Sequence, residues 1–377
     1  MNHYQAVSWQ ENNQERQASW HSEAALATPK KIVIANDETK ADEAYKLACE
    51  GTALLYRGDF QNAKQLLQAM TRRVDRKPIK PTATMLEAFH QHRARQIQRA
   101  SITNKLLIEL KHGKCDLKRA PEVKEAVLGA LVLDEKRDKL PNTIILSLRE
   151  LLGMIGAHEW RKKGVYIEAL QANIHAHYGV YSPVRGEYLD LINQAPLNNP
   201  SIAFDIGTGT GVIAAILVNR GIKQVIATDN SERAIQCATA NVQQLGMAQY
   251  IKLQQADLFP EGKADLIVCN PPWIPAKANA PIEHAIYDPN SAMLRAFLSG
   301  VKTHLNPNGE AWLVMSDLAE NLGLRAPDAL LQWIAEAGLN IVEQLTIAPK
   351  HAKSSDHSDP LYPARVKEIT SLYRLKV

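Results

Sequence analysis

The chain has 377 residues and a mass of 41.9 kDa, about twice the commonest domain size, so two or three domains are expected. With 45% hydrophobic and 22% charged residues, the composition excludes a fibrous or wholly disordered chain. The net charge of +4 is modest, but residues 71–120 hold 13 Lys/Arg against 4 Asp/Glu, a local +9 that leaves 4 − 9 = −5 elsewhere. Such a concentration serves either an acidic or phosphate-bearing partner or merely a solvated helix face.

No apolar run approaches the roughly 18–20 residues of a spanning helix, and the start MNHYQAVSWQENNQER lacks the basic-then-apolar layout of a secretion signal. No membrane association and a cytoplasmic location are expected. Cys49, Cys115, Cys237 and Cys269 form no CxxC or Cys/His cluster, so free thiols and no zinc site are expected.

In chain order, residues 1–40 are polar without a sustained apolar period and are expected to be a mobile leader. From Ala41, the turn Arg57-Gly58-Asp59 precedes Ala63, Leu66, Leu67 and Met70 at helical spacing, which predicts a helical hairpin. No second copy follows at a fixed period, against a tetratricopeptide-like array. Further helices are predicted over about Ala83–His112, Ala120–Leu133 and Thr143–Ile155, making residues 41–158 an all-helical, basic domain for substrate recognition.

The pattern changes at Gly164. GVYIEAL and IHAHYGVYS predict a β-hairpin, a bridge within residues 159–190. Over 191–377 the period settles into strand and helix in alternation: SIAFDIG, a helix over Val212–Asn219, QVIATD, a helix over Glu232–Leu245, YIKLQQAD, DLIVCN, a helix over Met293–His304, GEAWLVMSD, a helix over Ala329–Ala337, NIVEQLTIAP and ITSLYRLKV. This predicts an α/β fold, a Rossmann-like, doubly wound seven-stranded sheet. The last two strands have no helix between them, so the last is expected to pair antiparallel.

In such a sheet ligands sit beyond the carboxyl ends of the strands. There the sequence collects Asp205-Ile206-Gly207-Thr208-Gly209-Thr210-Gly211, then Asp229-Asn230, then Asp257-Leu258, then Asn270-Pro271-Pro272-Trp273. Glycines let the backbone come into contact with a ligand. The spacing is GxGxG with Val212 where a dinucleotide fingerprint needs a small residue, which disfavours a nicotinamide-dependent oxidoreductase. Asp229 is suited to accept from both hydroxyls of a ribose and Asp257 from the amine of an adenine. The Asn270 side-chain oxygen and the Pro271 carbonyl could hold both N–H bonds of a planar, weakly nucleophilic NH2 group, with Trp273 stacked on it.

On these motifs the sequence resembles the class I S-adenosylmethionine-dependent methyltransferases of the (N/D)PP(Y/F/W) branch, over roughly residues 180–377, and most of all the glutamine methyltransferases of release factors and ribosomal proteins. The resemblance implies S-adenosylmethionine as cofactor, bound by Gly207, Gly209, Asp229 and Asp257, with Asp205, Thr208, Gly211, Asn230 and Leu258 in the same cradle. It also implies an acceptor held by Asn270, Pro271 and Trp273, beside Pro272. The NPP element identifies an NH2 on a planar group, either a protein glutamine or a base of RNA or DNA. The partner is thus a release factor, a ribosomal protein or RNA. A non-catalytic RNA- or ribosome-binding module is the reading from another class, disfavoured by the intact glycine loop and Asn270.

Weaker candidates for substrate contact are Arg185 and Glu187 ahead of the sheet, and His284 and Asp288 in the long segment Ile274–Asn290, a natural lid. The irregularly spaced His351, His357 and acids of Lys350–Asp359 read as a surface turn, and no metal is expected. Oligomeric state leaves no signature in the sequence.

Overall fold

A computed structural model describes residues 4–76, 78–132, 139–184, 186–349 and 356–377. The chain divides into two units, Met1–Thr82 with His90–Glu159, and Ala83–Phe89 with Trp160–Val377.

The first unit is built on strands. β1 (Gln5–Glu11) and β2 (Gln14–Trp20) form an antiparallel hairpin about Asn12 and Asn13, whose φ of +53° and +60° suit a tight hairpin turn. β3 (Ile32–Ala35), α1 (Ala41–Cys49), β4 (Ala53–Tyr56), α2 (Phe60–Asp75) and α3 (Met85–Thr103, which begins in the second unit) follow. Then come β5 (Leu106–Lys111), α4 (Lys124–Leu131), β6 (Thr143–Ser147) and α5 (Leu148–Lys163). The six strands make one mixed sheet in the order β1-β2-β6-β5-β4-β3.

Two expectations are overturned here. Residues 5–35 are no mobile leader: Val7 and Trp9 on β1 and Ala18 and Trp20 on β2 enter one core cluster, and this narrow apolar row was hidden among polar neighbours. Nor is the region to residue 158 all helical. ALLY, LLIEL and TIILS are short apolar runs buried as strands, which periodicity alone cannot tell from a buried helix segment. The helix expected to His112 ends at Thr103, and the hairpin expected from Ala41 is α1-β4-α2. α2 does follow its pattern, with Asp59 Oδ1 capping the amides of Gln61 and Asn62 at 2.8 and 3.4 Å, and Phe60, Ala63, Leu66, Leu67, Met70 and Val74 buried on one face. Within the +9 segment, Arg73 pairs with Asp42, Arg99 with Asp75 and Arg119 with Asp59.

The second unit opens with the expected small hairpin, β7 (Val165–Ile167) and β8 (Ala172–Ile174), paired antiparallel. It continues through α6 (Glu187–Gln194), β9 (Ile202–Ile206), α7 (Val212–Asn219), β10 (Gln224–Asp229), α8 (Glu232–Gln244), β11 (Ile251–Gln255) and β12 (Ala264–Cys269). After two single-turn 3-10 helices come α9 (Ala292–His304), β13 (Leu305–Ser316), α10 (Leu318–Asn321), α11 (Ala329–Glu336), β14 (Asn340–Ile347), α12 (Tyr362–Arg365) and β15 (Thr370–Lys376). Of the turn expected over 350–359, residues 350–355 lie outside the described residues.

These seven strands form one sheet in the order β11-β10-β9-β12-β13-β15-β14, parallel except for β15, which runs antiparallel to both neighbours. Both faces are covered, so β12 is apolar throughout: Leu266 and Val268 enter one core layer, Ile267 and Cys269 the other. β15 is fixed by charge as well. Arg374 makes a two-pronged bond to Glu310 on β13, 2.9 Å for each arm, and also pairs with Glu343 on β14. Strand order reverses between β9 and β12, which opens a crevice at their carboxyl ends.

Candidate active site

A cleft of about 570 Å³ lies at that reversal, within the size range of small-molecule sites. Its floor is the turn after β9. The amides of Gly207 and Thr208 both donate to the Thr228 carbonyl, at 2.9 and 2.8 Å, so the loop folds onto β10. At Gly209, φ is +56° and a Cβ would project into open space, leaving bare backbone for a ligand to approach. Gly211, with φ +81°, starts α7, and a Cβ there would stand 3.2 Å from that of Ala238 on α8.

Asp229, at the end of β10, orders the cleft wall. One carboxylate oxygen accepts the Gly209 amide at 3.1 Å and the other the Ser231 amide at 2.9 Å. Burial raises its pKa, and these two backbone bonds work in the opposite direction. Each oxygen keeps a lone pair for a further donor. Asn230, Asp257 and Leu258 line the same wall, and Leu258 is held at φ +65° with its carbonyl accepting from the Thr228 hydroxyl at 2.5 Å. Bare glycine backbone with a carboxylate at the second strand end suits the hydroxyls of a nucleoside.

On the other side of the reversal, β12 delivers Asn270 and Pro272 to the cleft. The Trp273 indole N–H donates to Asn270 Oδ1 at 2.9 Å, and Tyr188 on α6 lines the cleft with Asn270.

Gly207, Thr208, Gly209, Asp229, Asn230, Asp257, Leu258, Asn270, Pro272, His284 and Asp288 line one cleft. Others do not. Asp205 is fully buried, bonded to the Thr208 hydroxyl and the Ala214 amide, and so supports the glycine turn from behind. Gly211 serves helix packing, and Pro271 is buried outside the lining. Trp273 is not free to stack on an acceptor as expected, because its ring packs into the two core layers flanking the sheet. Asp288 lines the cleft, but its two carboxylate oxygens accept the Met293 and Leu294 amides at 3.0 and 3.1 Å and cap α9. Glu187 is absent from the lining, and Arg185 lies outside the described residues.

Sequence reasoning missed Tyr181, Tyr188, Tyr287 and Met293, all in the lining. Tyr188 stands one position beyond Glu187, on the buried face of α6 with Leu189, Leu191 and Ile192; that apolar face was the available signal. It also missed His21, Glu23 and Glu150 in the first unit, whose ligand-type atoms lie within 4.8 Å of one another.

Residues 172–326, which include every strand end of this cleft, match the family model of the methyltransferase small domain. Over that stretch the chain is similar to a methyltransferase small domain. Curated relatives are similar to the chain as well. The release factor glutamine methyltransferase of Cereibacter sphaeroides is 35% identical over 144 residues, 34% of this chain and 51% of that protein. The ribosomal protein uL3 glutamine methyltransferase of Neisseria gonorrhoeae is 28% identical over 165 residues, 40% of this chain and 52% of its own length. The chain spans about half the length of the curated relatives it matches. A solved methyltransferase from Pyrococcus furiosus superposes with a TM-score of 0.39 at 17% identity, covering 59% of this chain and 97% of that one. No helix among the described residues is long and apolar enough to cross a membrane.

Proposed function

We propose that the protein is an S-adenosylmethionine-dependent N-methyltransferase whose acceptor is the side-chain amide of a protein glutamine. The observation that carries this reading is that one cleft joins the glycine turn and Asp229 to the carboxamide of Asn270. When bound, S-adenosylmethionine supplies an electrophilic methyl carried on a sulfonium.

The chain's own residues bind and aim. Asp229 accepts ribose hydroxyls with the lone pairs its backbone bonds leave over, and Asp257 accepts from the adenine amine. Asn270 Oδ1 holds an N–H bond of the acceptor and favours the positive charge that grows on its nitrogen. No side chain has to act as base, because the nitrogen becomes acidic as it gains carbon and its proton passes to water. Alignment of the reacting atoms is then the main source of acceleration.

A protein acceptor is favoured over a nucleic-acid base by charge. The described lining contains Asp229, Asp257 and Asp288 and neither Lys nor Arg, a poor surface for a phosphate backbone. The two relatives, named for glutamine methylation, agree with this. The test is to incubate the protein with radiolabelled S-adenosylmethionine and cell extract, then digest separately with protease and ribonuclease. Label lost to protease, and released as methylamine on acid hydrolysis, is expected. Label lost to ribonuclease overturns the protein acceptor.

A further inference from the structure

A carboxamide has two ends of nearly equal size and opposite function, one accepting and one donating. Turned about its last bond, Asn270 would offer N–H groups to an acceptor that itself brings N–H groups, and the two would repel. A site that depends on this side chain therefore needs a device that sets its sense.

We propose that Trp273 is a positioning residue that fixes the orientation of the Asn270 carboxamide. This rests on the assignment of Asn270 to the acceptor. An indole N–H only donates, so at 2.9 Å it admits the oxygen and excludes the NH2 end. The ring cannot drift to suit a flipped amide, since it is packed against both core layers. Asn270 Oδ1 retains a second lone pair for the acceptor. The aromatic residue of the NPP element thus aims the asparagine instead of touching the substrate.

The experiment compares Trp273→Phe with the parent protein by three measurements. The first is the initial rate of label transfer from S-adenosylmethionine to the protein fraction of cell extract. The second is S-adenosylmethionine affinity by calorimetry. The third is the Asn270 side-chain amide resonance in protein labelled with 15N-asparagine, assigned through Asn270→Asp. The variant is expected to lower the rate about three- to tenfold, the size of one neutral hydrogen bond, with cofactor affinity unchanged within about twofold. It is also expected to move the two amide protons toward the shifts of a solvated asparagine and to speed their exchange with water. Because the carboxylate introduced by Asn270→Asp has two equivalent oxygens and no sense to set, adding Trp273→Phe to that variant is expected to change the rate less than about twofold.

A parental rate in Trp273→Phe overturns the proposal, as does an unaltered amide resonance in that variant. If the parent transfers no label to protein, the assignment of the reaction fails, and the resonance alone then decides whether the amide is held in this way.

Discussion

The hydroxyl of Thr208 donates to the Asp205 carboxylate at 2.7 Å, and the Ala214 amide donates to the same oxygen at 3.1 Å, while the other oxygen is buried without a hydrogen-bond partner. Burial pushes the Asp205 pKa up to about 7 against the bonds from Thr208 and Ala214, with Asp229 adding to the rise. Its ordinary value is 3.8. The folded protein thus holds a proton that the unfolded chain has lost between about pH 4 and pH 7, and stability falls as pH rises through that window. At about 1.36 kcal/mol per pH unit, the whole effect is on the order of 4 kcal/mol at most. Asp205→Asn keeps an acceptor for Thr208 and carries no charge. It is expected to be more stable than the parent at pH 8, by roughly 1–3 kcal/mol, with a flatter profile. Urea unfolding at pH 5, 6, 7 and 8 checks this, and parallel profiles contradict it.

Asp229→Ala is expected to weaken S-adenosylmethionine binding about 10- to 100-fold, the equivalent of one or two hydrogen bonds to a charged acceptor. Calorimetry measures it directly. Undiminished affinity would remove the ribose from the β10 end.

Asn270→Ala is expected to depress turnover about 100- to 1,000-fold, the usual loss for an electrostatic contact made at the reacting atoms, while cofactor affinity stays close to parental. Label transfer and calorimetry on one preparation separate the two quantities. An equal loss in both would mean that Asn270 holds the cofactor.

Asp288→Ala is expected to lower stability by about 0.5–2 kcal/mol, through loss of the cap on α9. Asp288→Asn keeps an acceptor oxygen and is expected to recover part of this. Thermal unfolding checks both, and a fall in turnover without any change in stability would return Asp288 to the substrate-contact role expected from the sequence.

The second unit was far more legible than the first, for a physical reason. Strands covered on both faces and helices with one buried stripe leave separate signatures, so Leu266–Cys269 and Val212–Leu217 could be assigned by eye. Chemistry at strand ends is equally visible where Asp229 and Asn270 each close an apolar run. In the first unit the strands are short and flanked by strong helix formers, as ALLY is by α1 and α2, and the runs merged into neighbouring helices. The direction a side chain takes after a strand is not encoded in spacing. Trp273 turns toward the core and Asp288 toward the start of α9, and both depend on partners distant in sequence or on the path of the following loop. Arg374 gave no sign of joining Glu310 and Glu343, so the antiparallel pairing of the last strands was foreseen but the insertion of β15 between β13 and β14 was not.

That insertion has a consequence for biosynthesis. β14 emerges from the ribosome before β15, yet among the described strands β15 alone pairs with it, and β13 likewise waits with one margin bare. Until residues 370–376 are translated, two lengths of backbone have nothing to pair with, and strand margins of this kind recruit other chains. A nascent protein arrested between Ile347 and Thr370 is thus the form most prone to clump, and the stage at which a chaperone has most to shield.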